Sequence, residues 1–224
     1  MRPEAVLFDL DGTLADSAPD LARCVNVMLE RRGRPPVALA VVRPHVSKGA
    51  RGMIGAAFGY GTDHPEFAAM REEFLAIYEE NLSVETALFP GVPELLAALE
   101  AEAIAWGVVT NKFERFARSV LQALGIAERS RVIVGGDTCG KAKPHAEPLL
   151  HACATIGAAP ARSIYVGDDE RDVQAARAAG MKVLVAAYGY LGDRADEMPW
   201  GADAAVDSPV AIGRWIGLAR VQGS

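Results

Sequence analysis

The chain has 224 residues, 50% hydrophobic and 23% charged, ordinary values for a globular protein with one large core or a core and a smaller companion. Its formal net charge of −6 argues against a nucleic-acid binder, which would carry a basic surface. Cys24, Cys139 and Cys153 are odd in number and form no C-x-x-C pair, which suggests neither a disulfide framework nor a zinc site. Free thiols in a reducing cytoplasm are expected, and the few apolar residues before Asp9 make neither a signal peptide nor a membrane span.

The first apolar run, AVLFDL at 5–10, is continuous rather than alternating, as in a parallel strand buried on both faces. About 90 residues follow before the next such run, far more than one crossover helix needs. That interval has helical stripes of its own: Leu21, Cys24, Val25, Met28 and Leu29, then Phe67, Met70, Phe74 and Ile77. The Gly-rich segment SKGARGMIGAAFGYG lies between them. The pattern predicts a helical domain inserted after strand 1, over 16–84, with Pro90-Gly91 marking the return to the core. Next come the stripe Val92, Leu95, Leu96, Leu99 and the strand AIAWGVVT at 103–110. The stripe Phe113, Phe116, Ala117, Val120, Leu121, Leu124 is stopped by Gly125 and followed by the strand RVIVGG at 131–136. Leu149, Leu150, Cys153 and Ile156 form a third stripe. Strands SIYVGD (163–168) and KVLVAA (182–187) and a short edge strand AAV (204–206) complete the series. Such alternation predicts an α/β fold, a doubly wound parallel sheet built from 1–15 and 85–224.

Acids and polar groups gather at the carboxyl ends of these strands, where open α/β sheets collect ligands. Asp9-Leu10-Asp11-Gly12-Thr13 ends the first strand. Period-two alternation sends Asp9 and Asp11 to one side, and two converging acids repel unless a cation or a shared proton compensates. A hard divalent cation with oxygen ligands, Mg2+ beside a phosphate, answers that repulsion. The plainer alternative is a pair of turn-forming aspartates. Gly167-Asp168-Asp169-Glu170-Arg171-Asp172 follows another buried strand. There Asp168 and Asp172 would share a helix face, or the run is an N-cap aspartate with an acidic first turn. Thr110-Asn111 offers a hydroxyl and helix-start N–H groups to an anion, or an ordinary cap. Lys143, fixed before a helix by Pro144, could neutralise phosphate and carboxylate charge, although a surface lysine is the commoner fate. Together these groups form a complete set for phosphoryl transfer to a carboxylate: nucleophile, acid/base, phosphate holders and metal ligands.

In this order, D-x-D-G-T, T-N, K-P and G-D-D-x-x-D resemble the motifs of the haloacid dehalogenase superfamily of phosphohydrolases, over essentially the whole chain. The resemblance implies a Rossmann-like core with a helical cap that closes over a small phosphorylated metabolite. It makes Asp9 the nucleophile and Asp11 the group that protonates the leaving oxygen and then activates water. Thr110 and Lys143 would hold the phosphoryl group, with Leu10 and Asn111 in the same phosphate- and substrate-binding set. Mg2+ would be bound by Asp9, the backbone carbonyl of Asp11 and Asp168, with Asp169 and Asp172 in support. Many relatives have Ser or Thr where this chain has Asp169, so which of Asp168 and Asp169 dominates stays open. The segments SKGARGMIGAAFG, WGVVTNK, VGDDERD, YGY and WGADAAVD are similar to the phosphoglycolate phosphatase group, and within it to the N-acetylmuramic acid 6-phosphate phosphatase branch. In the cap, Lys48 and Arg51, next to Ser47, would face a substrate anion if they lie one helical turn apart. A solvated cap face is the alternative.

No nucleic-acid or membrane partner is expected, and monomer and homodimer both stay open. Two rivals use related parts. A phospho-receiver switch shares the Asp, the metal-binding acids, Thr and Lys, but the large insertion and Asp11 favour an enzyme. A sugar-phosphate mutase would pass the aspartyl-phosphate to a sugar hydroxyl instead of water. A dehalogenase has no use for two acids around a metal.

Overall fold

A computed structural model describes residues 2–191 and 198–218. Met1, 192–197 and 219–224, which the sequence assigns to the core, lie outside the described residues. Strand β1 (Ala5–Phe8) leads through a two-residue strand, β2 (Ala15–Asp16), into helices α1 (Ala18–Glu30), α2 (Leu39–Val42), α3 (Gly49–Phe58) and α4 (Phe67–Glu80), with a 3-10 turn over Arg43–Lys48. The chain returns through β3 (Ala87–Leu88), which pairs antiparallel with β2, so the outgoing and returning limbs form one narrow ribbon. It continues as α5 (Val92–Ala101), β4 (Ala105–Val109), α6 (Glu114–Ala123), β5 (Ile133–Val134) and α7 (Glu147–Ile156). β6 (Ser163–Gly167), α8 (Glu170–Ala178), β7 (Lys182–Ala186), β8 (Ala204–Val206) and α9 (Pro209–Trp215) follow.

Six strands form one sheet in the order β5-β4-β1-β6-β7-β8, and every pairing in it is parallel. Both faces are covered, which is why the strands read as unbroken apolar runs. Val6, Phe8, Trp106, Val108, Ile164, Val166 and Leu184 pack on one face with residues of α5, α6 and α9. Leu7, Val109, Tyr165, Val183 and Val185 pack on the other with residues of α7 and α8. The fold is therefore the α/β doubly wound sheet that the strand–helix alternation predicts, with AAV at its edge. The strands are shorter than the apolar runs, at their carboxyl ends and, in β4 and β5, at their amino ends as well. β5 is the extreme case. After Val134 the chain closes so tightly on the turn after β4 that a Cβ on Gly136 would lie 2.4 Å from the Asn111 carbonyl oxygen.

One predicted stripe needs correction. Leu149 and Cys153 of α7 are buried, but Leu150 is 43% exposed. Residues i and i+4 share the face toward the sheet, whereas the next residue lies about 100° round the helix and meets solvent. The two stripes of the inserted segment are buried throughout, in a cluster that also takes in Phe116 and Tyr190. Asp20 of α1, fully buried, fastens the returning limb. Its carboxylate accepts from Val84 N (3.0 Å), Glu85 N (3.1 and 3.2 Å), Thr86 N (2.8 Å) and Thr86 Oγ1 (2.6 Å), and pairs with Arg23 at 2.7 Å. Burial opposes the charge on Asp20, but these donors outweigh it and lower its pKa. No helix among the described residues is long and apolar enough to cross a membrane.

Candidate active site

The strand order reverses direction at β1: β4 and β5 lie to one side of it, and β6 to β8 to the other. The crevice beyond the carboxyl ends at such a switch point is the usual ligand site of an open α/β sheet. Asp9 stands there, one residue past β1, held by its backbone N–H to the Val166 carbonyl (2.8 Å). Asp168, one residue past β6, and Asp172, in the first turn of α8, converge on it. Each of the three carboxylates offers an oxygen within 4.8 Å of the other two, and all three are buried. Gly12 makes the approach possible. Its φ is +87°, and a Cβ there would lie 2.2 Å from Asp168 Oδ2.

Lys143, 5% exposed, is the cation among them. Its Nζ donates to Asp172 Oδ1 (2.7 Å) and to the Tyr165 hydroxyl (2.8 Å). It also lies 2.9 Å from Asp9 Oδ1, an ion-pair contact outside hydrogen-bond geometry, so that buried oxygen keeps no hydrogen-bond donor. Burial opposes the Lys143 charge, but Asp172 and Asp9 outweigh it and raise its pKa. Burial, only partly offset by Lys143, pushes the Asp9 carboxyl up to about 6. Burial, reinforced by Asp9 and Asp172, holds Asp168 well above the usual carboxylate range.

Asp169 stands apart from this cluster. It caps α8, accepting from Arg171 N (3.0 Å), and it pairs with Arg171 Nε (2.7 Å). Burial opposes its charge, yet Arg171 holds its carboxyl below the ordinary value. Asp172 Oδ2 closes the capping box by accepting from Asp169 N (3.0 Å). The second acidic run divides by geometry: Asp168 and Asp172 join Asp9 in the carboxylate cluster, while Asp169, which also lines the cavity, caps the helix with Asp172.

Thr110, one residue past β4, is buried, and its Oγ1 accepts from Lys112 N (3.3 Å). The Asn111 amide bonds both backbone groups of Lys143, taking its N–H (3.0 Å) and giving to its carbonyl (2.9 Å). It thus places the lysine rather than facing the crevice with a free amide. The Leu10 side chain is fully buried in the sheet-face cluster, which leaves only its main chain for a ligand. Asp11 lies across the crevice. Lys112 Nζ donates to both its oxygens at 2.8 Å, and Ser17 Oγ donates to Oδ1.

Lys112, Tyr165, Tyr188 and Tyr190 are site-building residues that the sequence reading did not single out. Tyr190 N donates to Asp168 Oδ2 (2.8 Å), and its hydroxyl takes the N–H groups of Ser17 (2.8 Å) and Ala18 (3.0 Å). Tyr188 donates to the Thr13 carbonyl (2.9 Å). The segments TNK, YGY and SIYVGD contain all four, but their hydrogen-bonding partners lie up to 175 positions away in sequence.

The inserted segment roofs the crevice. Ser47 Oγ donates to Asp168 Oδ2 (3.3 Å), and Arg171 Nη2 donates to the Ser47 carbonyl (2.6 Å). A cavity of about 430 Å3 lies between, with Asp9, Asp11, Thr110 and Lys143 at its base. Lys48, ending the 3-10 turn, and Arg51, in the first turn of α3, both line it, as does Arg71 of α4. Phe67, Phe74, Tyr78, Phe113 and Phe116 supply an apolar wall.

The donor set fits a divalent cation. Three buried carboxylates face one ammonium, leaving two formal negative charges uncompensated, and Asp9 Oδ1 has no donor. All the ligand atoms are oxygens, as a hard cation prefers.

The comparisons with known proteins agree with this geometry. Residues 6–186 match the family model described as haloacid dehalogenase-like hydrolase. The chain is 48% identical over 209 residues to N-acetylmuramic acid 6-phosphate phosphatase of Pseudomonas aeruginosa, covering 93% of this chain and 92% of that one. It is 50% identical over 208 residues to a phosphoglycolate phosphatase of Xanthomonas campestris pv. campestris, covering 92% and 93%. A crystal structure from Haemophilus somnus, described as a predicted phosphoglycolate phosphatase, superposes with a TM-score of 0.83 at 30% identity over 96% of this chain and 98% of that one. The chain belongs to the haloacid dehalogenase-like hydrolase family. Within it, the chain is an enzyme of the phosphoric monoester hydrolase class.

Proposed function

We propose that this enzyme is a Mg2+-dependent phosphatase that works through an aspartyl-phosphate on Asp9 and acts on a sugar-sized phosphate ester bearing a second anionic group. The observation that carries the reading is Asp9 itself, a buried carboxylate at the base of the cavity with an oxygen lacking any donor and with Lys143 alongside. Asp9 attacks phosphorus and the ester oxygen leaves with a proton from Asp11. Water then attacks the acyl phosphate, giving its proton to Asp11, and inorganic phosphate departs as Asp9 is restored. Thr110 and Lys143 hold the phosphoryl oxygens throughout. Asp9, Asp168 and Asp172 would hold Mg2+, together with the Asp11 carbonyl, and the ion would neutralise charge on the phosphoryl group.

Cavity size favours N-acetylmuramic acid 6-phosphate, the compound named for the Pseudomonas relative, over phosphoglycolate. A volume of about 430 Å3 suits a sugar derivative, whereas a two-carbon ester would leave most of it to water. The aromatic wall offers faces to a sugar ring, and Lys48, Arg51 and Arg71 offer charge to a carboxylate.

A phosphate-release assay tests the proposal on N-acetylmuramic acid 6-phosphate, 2-phosphoglycolate and a hexose 1-phosphate, with Mg2+ or EDTA. The expected result is Mg2+-dependent release with the highest kcat/KM on the muramic acid ester. Higher kcat/KM on phosphoglycolate would overturn the size argument. Transfer between sugar hydroxyls without phosphate release would mark a mutase.

A further inference from the structure

We propose that Lys112 is a positioning residue that aims the Asp11 carboxylate at the leaving group, and that Tyr78 of the inserted segment ties this aim to the placement of α4 over the crevice. The proposal rests on the reading of Asp11 as the acid/base group.

Lysine is seldom buried in a substrate cavity without a task. Lys143 already supplies the cation beside Asp9. The Lys112 side chain is 7% exposed, and its ammonium gives two bonds of equal length, 2.8 Å, to the two Asp11 oxygens. With Ser17 Oγ on Oδ1, the carboxylate is held from two sides, which fixes its rotation as well as its distance. Proton transfer to a leaving oxygen falls steeply with small misplacement of the donor, so such a clamp acts on rate. The turn that carries Lys112 also carries Thr110, through the bond from Lys112 N to Thr110 Oγ1 (3.3 Å). One turn thus sets both a phosphate-holding hydroxyl and the guide for the acid.

The ammonium rests 4.9 Å above the centre of the Tyr78 ring. Tyr78 belongs to α4, and its ring meets Phe116 of α6 edge-on at 5.6 Å. Displacing α4 from the crevice would withdraw the surface on which the ammonium lies. Asp11 would then be fully clamped only when the roof is in place.

The experiment compares Lys112→Met, Tyr78→Leu, Asp11→Asn and the double variant Asp11→Asn/Lys112→Met on two esters. p-Nitrophenyl phosphate has a leaving group that needs little protonation, whereas an alkyl phosphate such as glycerol 2-phosphate needs the acid. The readout is kcat/KM, which reports the step in which the ester bond breaks. Lys112→Met is expected to lose roughly 10–100-fold on the alkyl ester and only a few-fold on the aryl ester. Tyr78→Leu should show the same pattern more weakly, and it also serves if Lys112→Met folds poorly. The double variant should be no slower than Asp11→Asn alone. Equal losses on both esters, or a double variant that multiplies the single losses, would overturn the proposal. If Asp11→Asn discriminates between the esters and Lys112→Met does not, the proposal alone falls. If Asp11→Asn itself fails to discriminate, the acid/base reading falls and takes the proposal with it.

Discussion

Stripping divalent cations with EDTA leaves Asp9, Asp168 and Asp172 facing one another around a single ammonium. The metal-free protein should then lose stability as pH rises through the mildly acidic range. Asp9 moves from an ordinary 3.8 to about 6 in the folded state. Below about pH 4 the folded and unfolded chains both carry the proton, and no penalty arises. Between about 4 and 6 the unfolded chain releases it while the folded chain keeps it, so stability falls with pH, and above 6 the loss is complete. At about 1.4 kcal/mol for each tenfold change in proton affinity, the move from 3.8 to about 6 gives a loss on the order of 3 kcal/mol. Asp168, also raised, extends the loss to higher pH. Asp20 and Asp169, held below an ordinary 3.8, titrate below this window and do not offset it, while Glu73, Glu100 and Glu114, lowered from 4.5, oppose the loss only up to about pH 5. For a chain of this size the Asp9 share amounts to roughly 6–12 °C in Tm. Millimolar Mg2+ should flatten or invert the slope, because the cation competes with protons for the same oxygens and stabilises by about 2.7 kcal/mol at a hundred times its Kd. Scanning calorimetry from about pH 4 to 7.5, with EDTA or Mg2+, measures both curves. A flat or rising Tm in EDTA, or the same slope with Mg2+, would refute the reasoning, and Asp9→Asn should shrink the slope in EDTA.

Three further outcomes follow from particular contacts. Asp20→Ala strands the N–H groups of Val84, Glu85 and Thr86 and should destabilise by roughly 3–5 kcal/mol in urea titration; a loss under ~1 kcal/mol would deny its fastening role. In the wild type that contribution is present above about pH 4 and fades as pH falls further, as a lowered carboxyl requires. Gly12→Ala places a Cβ 2.2 Å from Asp168 Oδ2 at a positive φ, so phosphate release should drop at least ~100-fold, and wild-type turnover would contradict the crevice geometry. Arg51→Met should raise KM for a carboxylate-bearing ester by roughly tenfold while kcat on p-nitrophenyl phosphate stays put; an unchanged KM would place the second anion elsewhere.

The sheet was legible because both its faces are buried, which turns each strand into an unbroken apolar run that local composition displays. The crevice residues were legible for a related reason. Asp9, Thr110 and Asp168 each stand directly after a strand, and motif position there coincides with place in space. Leu150 was misplaced because an apolar residue beside a buried stripe looks like part of it, and only the sheet's direction decides. Asp168 could not be separated from Asp169 in sequence, since what divides them is their partners: Asp168 meets Asp9 and Asp172, while Asp169 is taken up by the N-cap and by Arg171. Lys112, Tyr165 and Tyr190 escaped because their chemistry depends on partners across the fold: Asp11, Lys143 and Asp168.

The covalent step on Asp9 is the claim on which the rest depends. Mixing enzyme, Mg2+ and substrate, quenching early, and reducing with borohydride converts an acyl phosphate to the corresponding alcohol, so that peptide mass spectrometry should find homoserine at position 9. With p-nitrophenyl phosphate, whose leaving group needs little protonation, the product should be enriched in Asp11→Asn, since on the acid/base reading that variant loses the base that activates water. Turnover with an unmodified Asp9, or with homoserine at position 11, 168 or 172 instead, would contradict the account.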